Sequence, residues 1–316
     1  MRRATAILLI GVTLTVGLPL VSGLGVVDVS AAETLVVDQD GTAEYRSIQT
    51  AIDDASAGDT VEIRPGTYAE TIVVDKNITV TAPDGARLDG TDVENPDVGV
   101  TIGNDESYEA RNVAPTVRGV TVTRYETGIQ SRTHGDWVVD DVTVRTVQKD
   151  GILHSYTEGG NWTVRDSDIV STGSDGISAA QSDGEWVVEN TVIRRANEHG
   201  IDAGFTSADW TVRNVSVQNS ALSSVDAGNS DGDWLIEHSS FKRGIRGDHS
   251  SGDWKITRSI IIKNDSFNPP ISVSNTLGEW HIHQSVINQT SDDTTATAID
   301  AEDAIAEGVA TGNWWG

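Results

Sequence analysis

The chain has no cysteine, so neither a disulfide framework nor a thiolate metal site is available to it. Basic residues are scarce: Lys and Arg total 22 against 48 Asp and Glu, for a net charge of −26. A surface this acidic does not hold nucleic acid or an anionic membrane by electrostatics. Long apolar runs are missing beyond the first thirty or so residues, so no later segment is suited to span a bilayer. Acidity with few hydrophobic residues can leave a chain disordered. Here a regular apolar alternation argues instead for a folded protein adapted to high salt.

What is present begins with residues 1–32. Arg2 and Arg3, a long apolar run and Ser30-Ala31-Ala32 have the layout of a secretory signal, with cleavage expected near Ala32. The alternative is an uncleaved anchor, because the run is nearly of membrane-spanning length; Gly11, Gly17, Pro19, Gly23 and Asp28 count against it. Residues 33–316 then form one domain, secreted or at the cell surface. Asn77, Asn161, Asn214, Asn264 and Asn288 each stand in an Asn-x-Ser/Thr sequon, as expected of an exported and glycosylated protein.

The dominant signal is a repeat. Trp137, Trp162, Trp186, Trp210, Trp234, Trp254 and Trp280 recur at intervals of 20 to 26 residues, and each opens the same phrase, as in GDWVVDDVTV and GEWVVENTVI. A fixed period in this range means stacked units, each burying its apolar face on its neighbour. Counting each Trp as zero, position +2 is always Val or Ile and position +7 is Val, Ile or Phe. Near +15, mostly after Gly, stand Ile152, Ile177, Ile201, Val225, Ile245 and Ile271. The alternation is that of strands. The expected fold is all-β: a single-stranded parallel β-helix of about 8–10 coils of ~24 residues, with three short strands per coil. The repeat coils occupy 115–289. Polar residues at +4 (Asp141, Asp166, Asn190, Asn214, His238, Arg258, Gln284) read as an internal ladder that bonds one coil to the next. The Trp column is core or sugar platform; its phase with the inward Val and Ile favours core.

Residues 33–80 are the N-terminal cap and first coils. A helix is predicted over 47–55, with Ile48, Ala51, Ile52 and Ala55 on one face, suited to cover the first coil. Asp40-Gly41, Tyr45, Ser47-Ile48, Ala51-Ile52, Gly58 to Val61, Pro65-Gly66, Tyr68, Glu70 and Lys76 to Val80 closely resemble the N-terminal segment of the pectin-lyase-like superfamily, pectinesterases included. That resemblance implies a right-handed coil. The composition is similar to that of secreted proteins of halophilic archaea. Residues 290–316 are expected to be a closing segment. Their Asn313-Trp314-Trp315-Gly316 resembles the motif that ends repeats in the copper-accessory β-helix proteins of nitrous oxide reductase maturation, but without the Gly-Pro-rich continuation usual there.

Two outward columns and one histidine pair are further candidates for chemistry. The residue before each Trp is acidic or Asn and faces out. Either salt screens this column, or Ca²⁺ bridges it, with Asp209, Asp233 and Asp253 as the best ligand run. The residues flanking the inward Ile also face out, so Asp202, Asp226 and Arg246 are predicted to form a vertical column, with Asp175 and His199 beside it. Two carboxylates below a guanidinium suit Ca²⁺ and an acidic sugar, or an acid–base pair. In the superfamily this outer face often carries the active site. The specific polygalacturonase and pectinesterase motifs are missing here. His281 and His283, two apart on one strand, are the remaining pair for zinc or copper. Two functions follow: a β-helix module that contacts glycans or partner proteins without chemistry, or a polysaccharide lyase or hydrolase acting on acidic polysaccharide.

Overall fold

The computed structural model describes residues 31–104, 112–154, 159–263, 269–289, 299–300 and 308–315. All of these except Ala31 lie in one compact unit, Ala32–Gly316. The architecture is a parallel β-helix. One coil consists of a Trp strand such as Trp186–Glu189, a second strand Val192–Ala196 and a short third strand Ile201–Asp202. Each pairs in parallel with its equivalent in the next coil, so Trp162, Trp186 and Trp210 are register partners. The third strands form their own ten-stranded sheet, which gives ten coils.

The inward columns are those that the repeat predicts. Val188, Val212 and Ile236 at +2, and Ile193, Val217 and Phe241 at +7, are at most 1 % exposed. The Trp column is core. Its first six members are at most 3 % exposed, and successive rings stack with centroids 4.7–5.6 Å apart. Small residues just after the third strands, Ala179, Ala203 and Ala227, are fully buried and leave room for the indoles. The glycine before the acidic residue permits close stacking of coils: a Cβ at Gly184 would lie 1.8 Å from the Gly160 carbonyl oxygen.

The +4 column corrects the expected inward ladder. All seven residues are exposed and left-handed, with φ between +49° and +54°. One left-handed residue breaks the two-residue alternation, so the inward position moves to +5. There Ser167, Thr191, Ser239, Ser259 and Ser285 are buried. Val215 N–H donates to Ser239 Oγ at 3.1 Å, Ser239 N–H to Ser259 Oγ at 3.2 Å, and Ser259 N–H to Ser285 Oγ at 3.2 Å. Each hydroxyl donates in turn to a carbonyl two residues back, as Ser239 does to Glu237 at 2.9 Å. This hydroxyl ladder makes the coil-to-coil bonds expected of the +4 residues.

The cap helix α1 spans Ile48–Asp54, with Ser47 as its N-cap. Glu70 accepts from Ser47 Oγ, Ile48 N–H and Gln49 N–H at 2.8–3.2 Å. Lys76 Nζ donates to the carbonyls of Ile52, Asp53 and Ala55 at 2.6–2.9 Å. The opposite charges sit where a helix's unpaired N–H and C=O groups need them. At the far end, Ile299–Asp300, Gly308–Thr311 and Trp314–Trp315 add a coil that the sequence pattern does not announce. Asn313 takes the ladder position: its Oδ1 accepts Ser285 N–H at 2.8 Å. Among the described residues no helix is long and apolar enough to cross a membrane.

Candidate functional site

The third strands hold the site. Ile177, Ile201, Val225 and Ile245 are fully or almost fully buried, so the residue after each faces away from the core. Parallel register then stacks Ser178, Asp202, Asp226, Arg246 and Ser272 in one column. The residues two before each inward Ile or Val stack beside it: Asp175, His199, Ser223 and Arg243. The five residues singled out in the sequence therefore lie in two adjacent columns over four successive coils, and direct side-chain contacts form around Asp226. Asp226 Oδ2 lies 3.1 Å from Arg246 Nη1 and 3.5 Å from His199 Nε2. Arg246 Nε lies 3.1 Å from Asp248 Oδ2, a partner not anticipated from the sequence. Asp226 is recessed, only 7 % exposed, rather than standing clear of the face.

The second column is also a ladder. Asp150 Oδ1 accepts Asp175 N–H at 3.0 Å, Asp175 Oδ1 accepts His199 N–H at 2.8 Å, and His199 Nδ1 accepts Ser223 N–H at 3.3 Å. An accepting Nδ1 places the neutral ring's proton on Nε2, facing Asp226. Burial raises the Asp175 carboxyl to about 8 against the pull of the His199 N–H bond, with Asp202 and Asp150 adding repulsion. Burial also raises Asp202, opposed by its bond from Gly204 N–H and by His199, and reinforced by Asp226. Asp150 is raised by burial as well. Burial works against the charge of Arg246, but Asp226 and Asp248 outweigh it and hold the guanidinium protonated. At neutral pH the site thus has a protonated Asp175, with Asp202 one coil on.

A cleft of about 340 Å³ opens here, lined by His199, Leu222, Ser223, Asp226, Arg246 and Lys263. A second, of about 180 Å³, adjoins it and brings in Arg243 and Asp248. The repeat gave no sign of Lys263. It ends the strand Ile260–Lys263, two residues beyond the inward Ile261, and is itself buried.

The other candidates are placed as follows. Asp209, Asp233 and Asp253 are exposed, and the Oδ1 of each accepts the backbone N–H of the acid one coil on: Asp233, Asp253 and Glu279, all at 2.7 Å. Among the described residues no group of three or more His, Asp or Glu converges as a metal site. Of the sequon residues, Asn77, Asn161 and Asn214 are exposed and Asn288 is half-buried; Asn264 lies outside the described residues. Asn214 Nδ2 donates to Asn190 Oδ1 at 2.8 Å. His154 is core: it is fully buried, meets Trp137 and Trp162 edge-on, and burial pushes its pKa down to about 4.

A family model described as periplasmic copper-binding protein (NosD) matches residues 52–230, more than half of the chain. Among solved structures, pectate lyase Pel9A aligns over 90 % of this chain and 82 % of its own, with TM-score 0.61 and 16 % identity. Alginate lyase from Paenibacillus sp. FPU-7 aligns over 86 % and 99 %, with TM-score 0.60 and 13 % identity. The catalytic unit of the GH87 α-1,3-glucanase from Streptomyces thermodiastaticus aligns over 85 % and 65 %, with TM-score 0.56 and 16 % identity. No curated protein sequence matches significantly. At such identities the likeness shows the fold, a right-handed parallel β-helix.

Copper can be tested against the donors present. The chain offers no cysteine and one methionine, Met1, so soft sulfur donors for Cu(I) are lacking. The His281 and His283 rings lie nearly parallel, 13° apart with centroids at 5.9 Å. Their in-plane lone pairs do not converge, and His283 Nδ1 is already 2.6 Å from Thr311 Oγ1. These residues do not fit a copper centre.

Proposed function

The chain belongs to the NosD family, and on that premise we propose that it is an exported β-helix protein that binds an acidic glycan at the cleft beside Asp226 and Arg246. The observation that carries this reading is the charge of the cleft. In a chain with 22 bases against 48 acids, Arg243, Arg246 and Lys263 line two adjoining hollows on one face. A sugar carboxylate offers the planar, two-oxygen partner that a guanidinium fits best. The names of two similar folds, a pectate lyase and an alginate lyase, are consistent with a uronate polymer as the ligand class.

A second reading has its own observation. Asp175, held protonated to about pH 8 by burial, is a general acid in waiting. With Asp202 one coil on, its role would be to protonate a leaving glycosidic oxygen. This is the lyase or hydrolase alternative.

Titration of polygalacturonate and of alginate into the protein, at low and at molar salt, tests the first reading. Saturable binding that Arg246→Ala abolishes is expected. Absence of binding to either polymer at every salt concentration sinks it. Incubation with the same polymers tests the second. New reducing ends or unsaturated products, lost in Asp202→Ala and Asp226→Ala, would establish cleavage. Binding without products leaves a non-catalytic glycan module.

A further inference from the structure

We propose that Phe205 is the apolar platform of this site, the surface on which a sugar ring of the bound glycan lies. This rests on the glycan reading above and adds a residue that no sequence motif marks. Phe205 is 64 % exposed and left-handed, with φ +58°. A bulky side chain in that conformation is costly and uncommon. The equivalent left-handed positions in neighbouring coils carry Gln181, Asn229, His249 and Asn275, polar residues of the kind such a turn favours. Phe205 therefore contributes neither core packing nor the preferred turn chemistry.

Its position supplies the reason to keep it. Phe205 follows Asp202 by three residues, at most about 10 Å of extended chain. The Asp202 carboxylate leans towards it: Oδ1 accepts the N–H of Gly204, the residue next to Phe205, at 2.9 Å. One coil on, Asp226 Oδ1 accepts Gly228 N–H at 2.9 Å. A Cβ at Gly228 would stand 3.1 Å from Asp226 Oδ1 and 3.4 Å from Arg246 Cζ, so carboxylate and guanidinium both lie against the backbone there. Phe205 N–H donates to the Gly228 carbonyl at 3.1 Å, so the exposed ring is rooted beside the backbone on which Asp226 and Arg246 rest; carboxylate and guanidinium would take hydroxyl and carboxylate groups, and the aromatic face the apolar side of a pyranose.

The test uses hexagalacturonate and hexamannuronate as probes against the whole protein, with wild type, Phe205→Asn, Phe205→Tyr and Arg246→Ala compared by calorimetry. Phe205→Asn is expected to raise the melting temperature by about 2–4 °C, since asparagine suits the left-handed turn. It should also weaken the better probe by about tenfold. Phe205→Tyr should keep the affinity. Binding that Phe205→Asn leaves unchanged while Arg246→Ala removes it overturns the platform and spares the glycan reading. Failure of wild type to bind either probe overturns both.

Discussion

Asp175 couples the site to pH. In the unfolded chain its carboxyl titrates near 3.9; in the fold burial moves it to about 8. Between those values the folded state holds a proton that the unfolded state has lost, so stability falls as pH rises through that window. Each unit of separation is worth about 1.4 kcal/mol. Asp175→Asn keeps the Oδ1 that accepts His199 N–H and removes the titration. The variant should therefore show a flatter pH dependence of its urea midpoint from about pH 4 to 8, and should exceed the parent in stability above pH 8. Identical slopes in the two proteins would show that Asp175 ionises normally. The Trp ladder gives a second expectation. Trp210 sits stacked between Trp186 and Trp234, with its Nε1–H buried and without a hydrogen-bond partner. Trp210→Ala should cost about 3–5 kcal/mol through the cavity it leaves. Trp210→Phe should cost well under half of that, because it retains a ring and removes an orphaned donor. Chemical denaturation of the two variants makes the comparison.

At the scale of elements, the cap helix has only seven residues, too few to persist alone in water. Its stability comes from Ile48, Ala51 and Ile52 packing on the first coil and from the Glu70 and Lys76 clamps. Glu70→Ala should strip the helix N-terminus of its acceptors, at a cost of about 1–3 kcal/mol. It should speed amide exchange in 48–54 while leaving the Trp coils protected; uniform exchange loss along the chain would mean that the cap and coils unfold as one unit. This clamp explains why the N-terminal motif is so readable: Glu70 and Lys76 are the residues that satisfy the two ends of one helix. The Trp and Ile columns were readable for a similar reason, since each obeys strand alternation. The +4 and +5 columns were not, because the rule fails at a left-handed residue. The inward positions +2 and +7 are an odd number of residues apart, which demands such a break somewhere between them. The run of Ser and Thr at +5 would have located it. In the site, Asp202, Asp226 and Arg246 were legible as one column because they share a strand position. Lys263 comes from a different strand of the coil, so only the closed coil brings it beside them.

At the scale of the molecule, the outer face handles its charge in two ways, and salt acts oppositely on them. On the Trp strands, Asp140, Arg165, Glu189, Arg213 and Glu237 alternate in sign up the stack. Arg165 lies 3.0 Å from Asp140, and Arg213 lies 3.6 and 3.7 Å from Glu189 and Glu237. The arginines of these pairs stay about half exposed, so the pairs contribute little and weaken further in salt. Four residues back along each strand, Asp209, Asp233 and Asp253 repeat one sign at about the 4.8 Å spacing of coils. An N–H bond to one oxygen of each carboxylate offsets part of the repulsion and leaves the rest. With net charge −26, repulsion outweighs attraction over the whole surface. A screening length that shrinks from about 8 Å at physiological salt to about 3 Å at 1 M falls below the coil spacing. We therefore expect the unfolding midpoint to rise steadily from 0.1 to about 2 M NaCl. Asp233→Asn should flatten that rise by removing one repelling charge. Arg213→Gln should steepen it by leaving Glu189 and Glu237 without their shared partner. Millimolar CaCl₂ at fixed ionic strength separates screening from a bridging ion: a large rise there, lost in Asp233→Asn, would assign the column to Ca²⁺, whereas no response leaves screening as the mechanism. A midpoint that falls with NaCl would mean that the alternating pairs dominate and that the acidity serves some purpose other than tolerance of salt.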